Sequence, residues 1–256
     1  MTTLMQPDWL LPLLAAPFVG SFLSLLIARL PAGSAVVFGR SACLACRHPL
    51  GAADLVPVLS WLVSRGRCRH CGAAIGALYP LVELAALGLV LWAAAVVSGW
   101  ILWATCALGW SLLALAVIDW RHQILPDHLT LTLAAGGLVV ALALGLDGVL
   151  DHVIGLAAGF LALALVRLAY QALRGREGLG LGDAKLAAAA GAWVSWSGLA
   201  SVVLVAALAA LVVTLGRAVA GASLSADTRL PFGPYLALGT WLVWLYGPLD
   251  FAGWGS

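Results

Sequence analysis

Charged side chains are scarce in this sequence, and their scarcity excludes an ordinary soluble protein. Asp, Glu, Lys and Arg make up 9% of the 256 residues, whereas a typical soluble domain has roughly 25%. Apolar residues account for 63%, and the mean hydropathy is +1.06, so a soluble fold would have too few polar side chains to cover its surface. The net charge is only +2, and we expect no nucleic-acid partner. The composition therefore predicts a polytopic protein embedded in a lipid bilayer.

Apolar runs of about 17–25 residues are typical of membrane-spanning helices, and this sequence contains eight candidates. They lie near 9–30, 78–98, 101–118, 129–146, 150–172, 184–197, 198–217 and 231–248. The run near 184–197 is short and rich in Ala and Gly, so a tilted or partly inserted helix is an alternative there. We predict an all-α membrane protein of about eight helices. Its three parts are an anchor (1–30), a small cytoplasmic zinc-ribbon-like loop domain (31–77) and a multi-span core (78–256).

Lys and Arg are absent from every connection on one side of the predicted membrane. That side receives only Asp8, Asp147, Asp151, His152 and Asp250. The other side receives eleven of the thirteen basic residues, five of them in the loop 31–77: Arg40, Arg47, Arg65, Arg67, Arg69, Arg121, Arg174, Arg176, Lys185, Arg217 and Arg229. Arg29 lies at the edge of that loop, and Arg167 lies one turn inside a span that ends on this side. Basic loops stay in the cytoplasm, so both termini are predicted to be periplasmic. No basic segment precedes the first apolar run, which excludes a typical cleaved signal peptide and favours an uncleaved anchor.

Four of the five cysteines form two pairs in the polar loop 31–77. Cys43 and Cys46 are separated by two residues, and Cys68 and Cys71 repeat this spacing after 21 intervening residues. Paired CxxC motifs at about this separation are typical of zinc sites, in which four thiolates complete a closed tetrahedral shell. Four unrelated or disulfide-bonded cysteines are the alternative, which a reducing compartment disfavours. We expect one structural zinc ion, with His48 and His70 as exposed loop residues.

Two aspartates lie at the ends of predicted spans that meet the same membrane face. Asp119 ends the third span, and Asp183 follows Gly180-Leu181-Gly182 at the start of another. An ionisable group near hydrocarbon is costly and marks a functional site by default. A helix C-terminus disfavours an anion and a helix N-terminus favours it, so we expect Asp183 to be the ionised member of an acid–base pair. Helix capping is the structural alternative for each aspartate.

Five other residues near these spans are candidates for supporting the site, and the three charged ones each have a structural alternative. Asp127 follows Pro126 and is more readily explained by the turn into the next span than by catalysis. Gly180 and Gly182 allow the close backbone approach that a peptide-binding site requires. Lys185 either meets substrate carboxylates or extends its amine to the interface. Glu83 is a buried carboxylate that either supports the active site or pairs with an arginine.

These segments together resemble the bacterial type IV prepilin peptidases over nearly the whole sequence. The matching segments are Gly20-Ser21-Phe22-Leu23, Arg29-Leu30-Pro31, the cysteine pairs, Pro57-Val58-Leu59-Ser60-Trp61-Leu62, Arg65-Gly66-Arg67-Cys68, Tyr79-Pro80-Leu81-Val82-Glu83, Ile118-Asp119, Leu125-Pro126-Asp127, Gly180-Leu181-Gly182-Asp183-Ala184-Lys185-Leu186 and Pro231-Phe232-Gly233-Pro234.

The resemblance implies an aspartic protease of the GxGD type in the bacterial inner membrane, with Asp119 and Asp183 as catalytic pair. Gly180, Gly182, Lys185, Asp127 and Glu83 are expected to support that site. Such enzymes cleave the basic leader of prepilins and type II secretion pseudopilins after a glycine on the cytoplasmic side. They then methylate the new N-terminal residue from S-adenosylmethionine, and they use no catalytic metal. The residues that would bind S-adenosylmethionine are not indicated by the sequence.

Two other classes of protein share parts of this pattern. A proton-coupled transporter also has carboxylates in its spans, but its relay groups lie at mid-depth, often in broken helices. A zinc-ribbon adaptor with membrane anchors would not need Gly180 and Gly182. The position of both aspartates at one face favours the peptidase.

Overall fold

The computed structural model of the chain describes residues 7–33, 41–145, 148–175, 179–221 and 231–249, and the regular secondary structure in these ranges is helical. Within these ranges the only β pairings are two isolated bridges, Ala42 with Pro49 and Arg67 with Ala74. The α-helices are α1 (Leu10–Arg29), α2 (Leu59–Val63), α3 (Leu78–Ala94), α4 (Trp100–His122), α5 (Asp127–Leu144), α6 (Val149–Arg174), α7 (Leu181–Val219) and α8 (Gly233–Tyr246). Arg40, Asp147, Arg176, Arg229 and Asp250, which contributed to the topology prediction, lie outside the described residues.

The helices confirm the predicted all-α membrane class. In the described part of the chain, α1, α4, α5, α6 and α7 are long and apolar enough to cross a membrane, and α3 is a shorter apolar helix. All eight predicted runs fall on helices, with 184–197 and 198–217 both inside the 39-residue α7. A straight helix of this length would measure about 58 Å, nearly twice the roughly 30 Å of a hydrocarbon core.

The chain divides into two compact units, of which the first comprises residues 1–114. In this unit α1 packs along α3. A side chain at Gly20 would place its Cβ 2.6 Å from the Cα of Glu83, so glycine is required for this close helix contact. The indole of Trp110 donates a hydrogen bond to the carbonyl of Ala86 at 3.1 Å, which joins the first part of α4 to α3.

In the second unit, residues 115–256, helix α7 is the central element. It packs against α5, α6 and α8. Glycines make the contact with α6 very close, because a Cβ at Gly155 or Gly159 would overlap the α7 backbone around Gly191 or Ala187. The first half of α7 is consequently buried from Asp183 to Trp193 at almost every position. The fold therefore places the Asp183 end of α7 in the interior of this unit.

Helix α7 is interrupted at Ser195, where φ is 61° and ψ is 179°. The sequence places the break at Ser197-Gly198, two residues later. Residues from the first turn of α6 hold the interruption: His152 Nδ1 hydrogen-bonds the Ala192 carbonyl at 2.9 Å, and the Trp196 indole donates to Asp151 at 3.1 Å. The break divides α7 into two helices, which correspond to the two predicted runs.

Candidate active site

Asp119 lies in the last turn of α4, and its side chain is only 5% exposed. Its Oδ2 accepts a hydrogen bond of 2.9 Å from the backbone N–H of Gly233, the first residue of α8. A Cβ at position 233 would come within 2.7 Å of the same oxygen. Glycine is therefore needed for the backbone to approach the carboxylate. The sequence alone gives Gly233 no evident role, although a glycine directly before Pro234 is a signal for a helix start.

Asp183 is the third residue of α7 and is 8% exposed. Its Oδ2 accepts a hydrogen bond of 3.1 Å from the N–H of Gly180, the residue that caps the helix. Asp183 therefore makes the capping contact that was the structural alternative, but this contact uses only one of its two carboxylate oxygens. A Cβ at Gly182 would lie 2.9 Å from the Cβ of Leu125, so Gly182 allows the segment between α4 and α5 to pack on this turn.

The two carboxylates lie in one unit and are close enough to repel each other electrostatically. Each accepts a backbone N–H from the start of a helix, Asp183 from α7 and Asp119 from α8. The expected contrast between a helix N-terminus and a C-terminus is therefore weaker than the sequence indicates, because α8 supplies Asp119 with an N-terminus of its own. Two buried like charges favour a state in which the pair shares one proton.

Asp127 and Lys185 form an ion pair between α5 and α7. Lys185, the only lysine in the sequence, places Nζ 2.6 Å from Asp127 Oδ1. Asp127 is the first residue of α5, which agrees with its interpretation as a turn residue, and its side chain is 58% exposed. The pair links the first turn of α5 to the turn of α7 that carries Asp183.

Glu83 lies in the first unit and hydrogen-bonds the loop. Its Oε2 accepts the backbone N–H of Val58 at 2.7 Å, and the Ser21 hydroxyl of α1 also bonds its carboxylate. Glu83 is only 6% exposed. Its observed role is to join the loop segment before α2 to helices α1 and α3.

The four paired cysteines converge on one point. Their Sγ atoms all lie within 4.8 Å of one another, and those of Cys43 and Cys71 are 3.8 Å apart. Four sulfurs at about 2.3 Å from a tetrahedral zinc ion would be about 3.8 Å apart. All four are free thiols. The cluster can hold a metal ion.

The two cysteine pairs are built as near copies of one turn. In each, the N–H of the first cysteine donates to the carbonyl five residues later, at 2.9 Å in the first turn and 2.8 Å in the second. The residue after the second cysteine has a positive φ in both, 56° at Arg47 and 71° at Gly72. The rings of His48 and His70 are in contact, with centroids 3.5 Å apart and planes inclined by 33°. Such paired turns are typical of zinc ribbons, in which each turn supplies two thiolates.

Comparisons with known proteins identify both parts of this arrangement. Residues 14–97, which include the four cysteines and Glu83, match the bacterial peptidase A24 N-terminal domain. Residues 106–215, which include Asp119 and Asp183, match the type IV leader peptidase family. Gly233 lies beyond both matches. No solved structure matches the chain.

Several curated relatives have the same printed name, prepilin leader peptidase/N-methyltransferase. The protein of Aeromonas salmonicida strain A449 is 44% identical over 209 residues, covering 81% of this chain and 72% of its own. That of Burkholderia pseudomallei strain K96243 is 46% identical over 82% and 68% of the two chains. That of Pseudomonas aeruginosa is 36% identical over 92% and 91%. With this coverage, and with the two buried aspartates inside the matched region, the chain belongs to the type IV leader peptidase family.

Proposed function

We propose that this membrane enzyme cleaves the basic leader of type IV prepilins and type II secretion pseudopilins. The observation that carries the proposal is the pair of buried carboxylates, Asp119 and Asp183, each held by a backbone N–H in one compact unit. The family match and the names of the relatives support the same reaction. The proposed site is the cytoplasmic face of the bacterial inner membrane, with both chain termini in the periplasm.

The proposed chemistry is general acid–base hydrolysis of a peptide bond. A water molecule between the two carboxylates gives a proton to the ionised one and attacks the scissile carbonyl carbon. The protonated aspartic acid donates its proton to the carbonyl oxygen as the tetrahedral intermediate forms. Collapse of that intermediate breaks the C–N bond, and the leaving amine takes up a proton. The pair itself activates water, so we expect no catalytic metal.

Lys185 and Asp127 are proposed to support the site from a distance. Their ion pair fixes the first turn of α7 on the first turn of α5, and Asp183 lies in that turn of α7. Gly180 supplies the N–H to Asp183, and Gly182 makes room for Leu125. Glu83 hydrogen-bonds the loop in the other unit, so we propose that it supports the loop domain.

We further propose that the product amine is methylated from S-adenosylmethionine and that the loop domain 31–77 holds one structural zinc ion. The printed name of the relatives includes N-methyltransferase, and Cys43, Cys46, Cys68 and Cys71 have the donor set and spacing for zinc. Bound zinc would fix the two turns to each other. A closed four-cysteine shell leaves no position for substrate, so the ion would be structural.

The transporter alternative is not supported. Both matched family models describe peptidases, and the two aspartates lie in the last turn of α4 and the first turn of α7. Mid-depth relay groups of a transporter would lie well inside the spans.

The proposed function is tested by incubating the purified full-length protein with a prepilin peptide and S-adenosylmethionine. Mass spectrometry should show loss of the leader at one bond and gain of one methyl group on the new amine. The same incubation without S-adenosylmethionine should give the cleaved, unmethylated product. Intact peptide under both conditions would contradict the peptidase, and cleavage without methyl transfer would contradict only the second activity.

A further inference from the structure

The loop between α1 and α3 exposes a group of large apolar side chains around α2. This loop patch consists of Leu55, Val56, Leu59, Leu62 and Val63, which are 43%, 39%, 61%, 56% and 74% exposed. Isolated exposed leucines are ordinary, but a contiguous apolar surface marks an interaction site. Neither the acid–base pair nor the cysteine cluster uses these side chains.

A hydrogen bond attaches the loop patch to α3 near the start of that helix. The N–H of Val58, in the middle of the patch, donates to Glu83 at 2.7 Å. Glu83 is five residues beyond the start of α3, or about 7.5 Å along the helix axis at 1.5 Å per residue. The headgroup layer of a bilayer is roughly 5–8 Å thick on each side of the hydrocarbon core. If α3 starts at the outer edge of that layer, Val58 lies near its boundary with the acyl chains.

The Val58 backbone shows that this attachment is enforced by its surroundings. Its φ is +60° and its ψ is −52°, which is a rare conformation for a β-branched residue. Such strain persists only where neighbouring structure over-determines it. The carboxylate that accepts its N–H is itself fixed, because α1 and α3 are in close contact at Gly20.

Basic and aromatic side chains border the loop patch as they do at a membrane interface. Arg65 and Arg67 follow it directly, and both are exposed. Trp61 lies within it and donates its indole N–H to the Ile75 carbonyl at 3.1 Å. Arginines attract anionic headgroups, and tryptophans concentrate at the boundary between headgroups and acyl chains.

We propose that residues 55–63 form an interfacial anchor that lies in the bilayer surface next to α1 and α3. The loop patch enters the acyl-chain region, and Arg65 and Arg67 contact anionic lipid headgroups. The occupant of this surface is therefore lipid. The patch is continuous with the spanning helices through the hydrogen bond between Val58 and Glu83, and it has the apolar face and basic border of an interfacial helix. The proposal does not depend on the peptidase reaction.

The proposal is tested with a photoreactive benzoylphenylalanine placed at Leu59, Leu62 or Val63 in the full-length protein. The protein is reconstituted in vesicles of phosphatidylethanolamine and phosphatidylglycerol, and adducts are identified by mass spectrometry. Leu44 is the matched control, because it is 91% exposed in the same loop domain but lies in the first cysteine turn. We expect lipid adducts at the three patch positions at several times the yield at Leu44.

Equal lipid yields at Val63 and Leu44 would overturn the proposal. So would adducts at the patch positions that form with added prepilin peptide in place of lipid, since the surface would then bind substrate. A Glu83→Leu variant, which removes the acceptor for Val58, should reduce the lipid adducts at Val63, whereas Glu83→Gln, which keeps an acceptor oxygen, should not. Cleavage is measured in parallel on each variant, so a failed peptidase and a failed anchor give different results.

Discussion

Each of the two buried aspartates is oriented by a single backbone N–H at the start of a helix. The donor is a backbone group and not a side chain, so the orientation of each carboxylate depends on where the helix begins. In the proposed reaction their roles alternate between acid and base, and both must be kept at the same point. The most direct test at this scale is to replace each aspartate with asparagine, which has nearly the same shape but no negative charge.

Asp119→Asn and Asp183→Asn are each expected to lower the cleavage rate by at least about 10²–10⁴-fold, the usual contribution of a positioned acid or base. Both variants should remain folded in the membrane, because Asn keeps an oxygen that accepts the N–H. Asp127→Asn should lose no more than about fivefold, since an exposed ion pair contributes at most about 1 kcal/mol. Peptide cleavage followed by mass spectrometry measures all three.

The wild-type rate should rise and then fall with pH, because a pair that shares one proton titrates in two steps. An inactive Asp127→Asn beside an active Asp119→Asn would mean that the first catalytic aspartate is misassigned. Normal cleavage by both Asp119→Asn and Asp183→Asn would exclude the aspartic mechanism.

Gly233→Ala should impair catalysis through Asp119 without removing any functional group. The added Cβ would come within 2.7 Å of Asp119 Oδ2, so either the carboxylate or α8 must move. A displacement of about 1 Å can reduce a rate roughly 10²-fold. Gly216→Ala is the matched control, because a Cβ there has nothing within 4 Å. Full activity of Gly233→Ala would show that Asp119 does not depend on this approach.

At the level of single helices, the interruption of α7 is the least ordinary feature. Ser195 has φ 61° and ψ 179°, a region essentially restricted to glycine. The interruption separates the half that carries Asp183 from the half that ends at Val219. Asp151 and His152 of α6 contact α7 on either side of the interruption, so the Asp183 half is positioned partly by contacts at its far end.

Ser195→Gly should stabilise the protein by about 1–3 kcal/mol by relieving backbone strain. Ser197→Gly is a closely matched control, since both variants remove the hydrogen bond of 2.8 Å between the two hydroxyls. Position 197 is helical, and glycine there should destabilise by roughly 0.5–1 kcal/mol. Thermal unfolding in detergent measures the difference. A lower Tm for Ser195→Gly than for Ser197→Gly would contradict the strain assigned to this residue.

The loop domain should contain about one zinc ion per chain, as expected of a single four-cysteine site. Cys46→Ser should remove the zinc measured by elemental analysis and increase proteolysis of the loop. Cys106→Ala is the control, because Cys106 is buried in α4 outside the cluster, and it should leave the zinc content unchanged. A metal-free wild-type protein with a protease-resistant loop would contradict a structural zinc ion.

The sequence was sufficient for most of the helices and for the four-cysteine cluster, because hydrophobic run length and cysteine spacing are local signals. It also predicted that Asp119 lies at the end of one helix and Asp183 at the start of another, where the structure has them. It missed the donor to Asp119, since Gly233 is 114 residues away. It placed the interruption of α7 at Ser197-Gly198, where glycine indicates a turn, whereas contacts from α6 impose it at Ser195. The partner of Glu83 was also missed, because a backbone N–H has no sequence signature.

At the scale of the whole molecule, the distribution of charge predicts which ends of the helices face the cytoplasm. Reporter fusions at Ser98 and Gly148 should read periplasmic, and fusions at Ala52 and Gly175 should read cytoplasmic, as the positive-inside rule requires. Alkaline phosphatase and green fluorescent protein fusions measure the two states. A cytoplasmic signal at Gly148 would place both aspartates on the wrong side for the proposed reaction.

The hydrogen bond from Gly233 to Asp119 also sets an order of events during synthesis. The two residues are 114 positions apart, and ribosomes add about 5–20 residues per second, so the donor emerges roughly 6–23 seconds after the acceptor. Throughout that interval the nascent chain has Asp119 without the backbone group that orients it. The order of synthesis therefore delays completion of the proposed active site until α8 has been made, and the proposed peptidase stays inactive while its earlier helices are inserted.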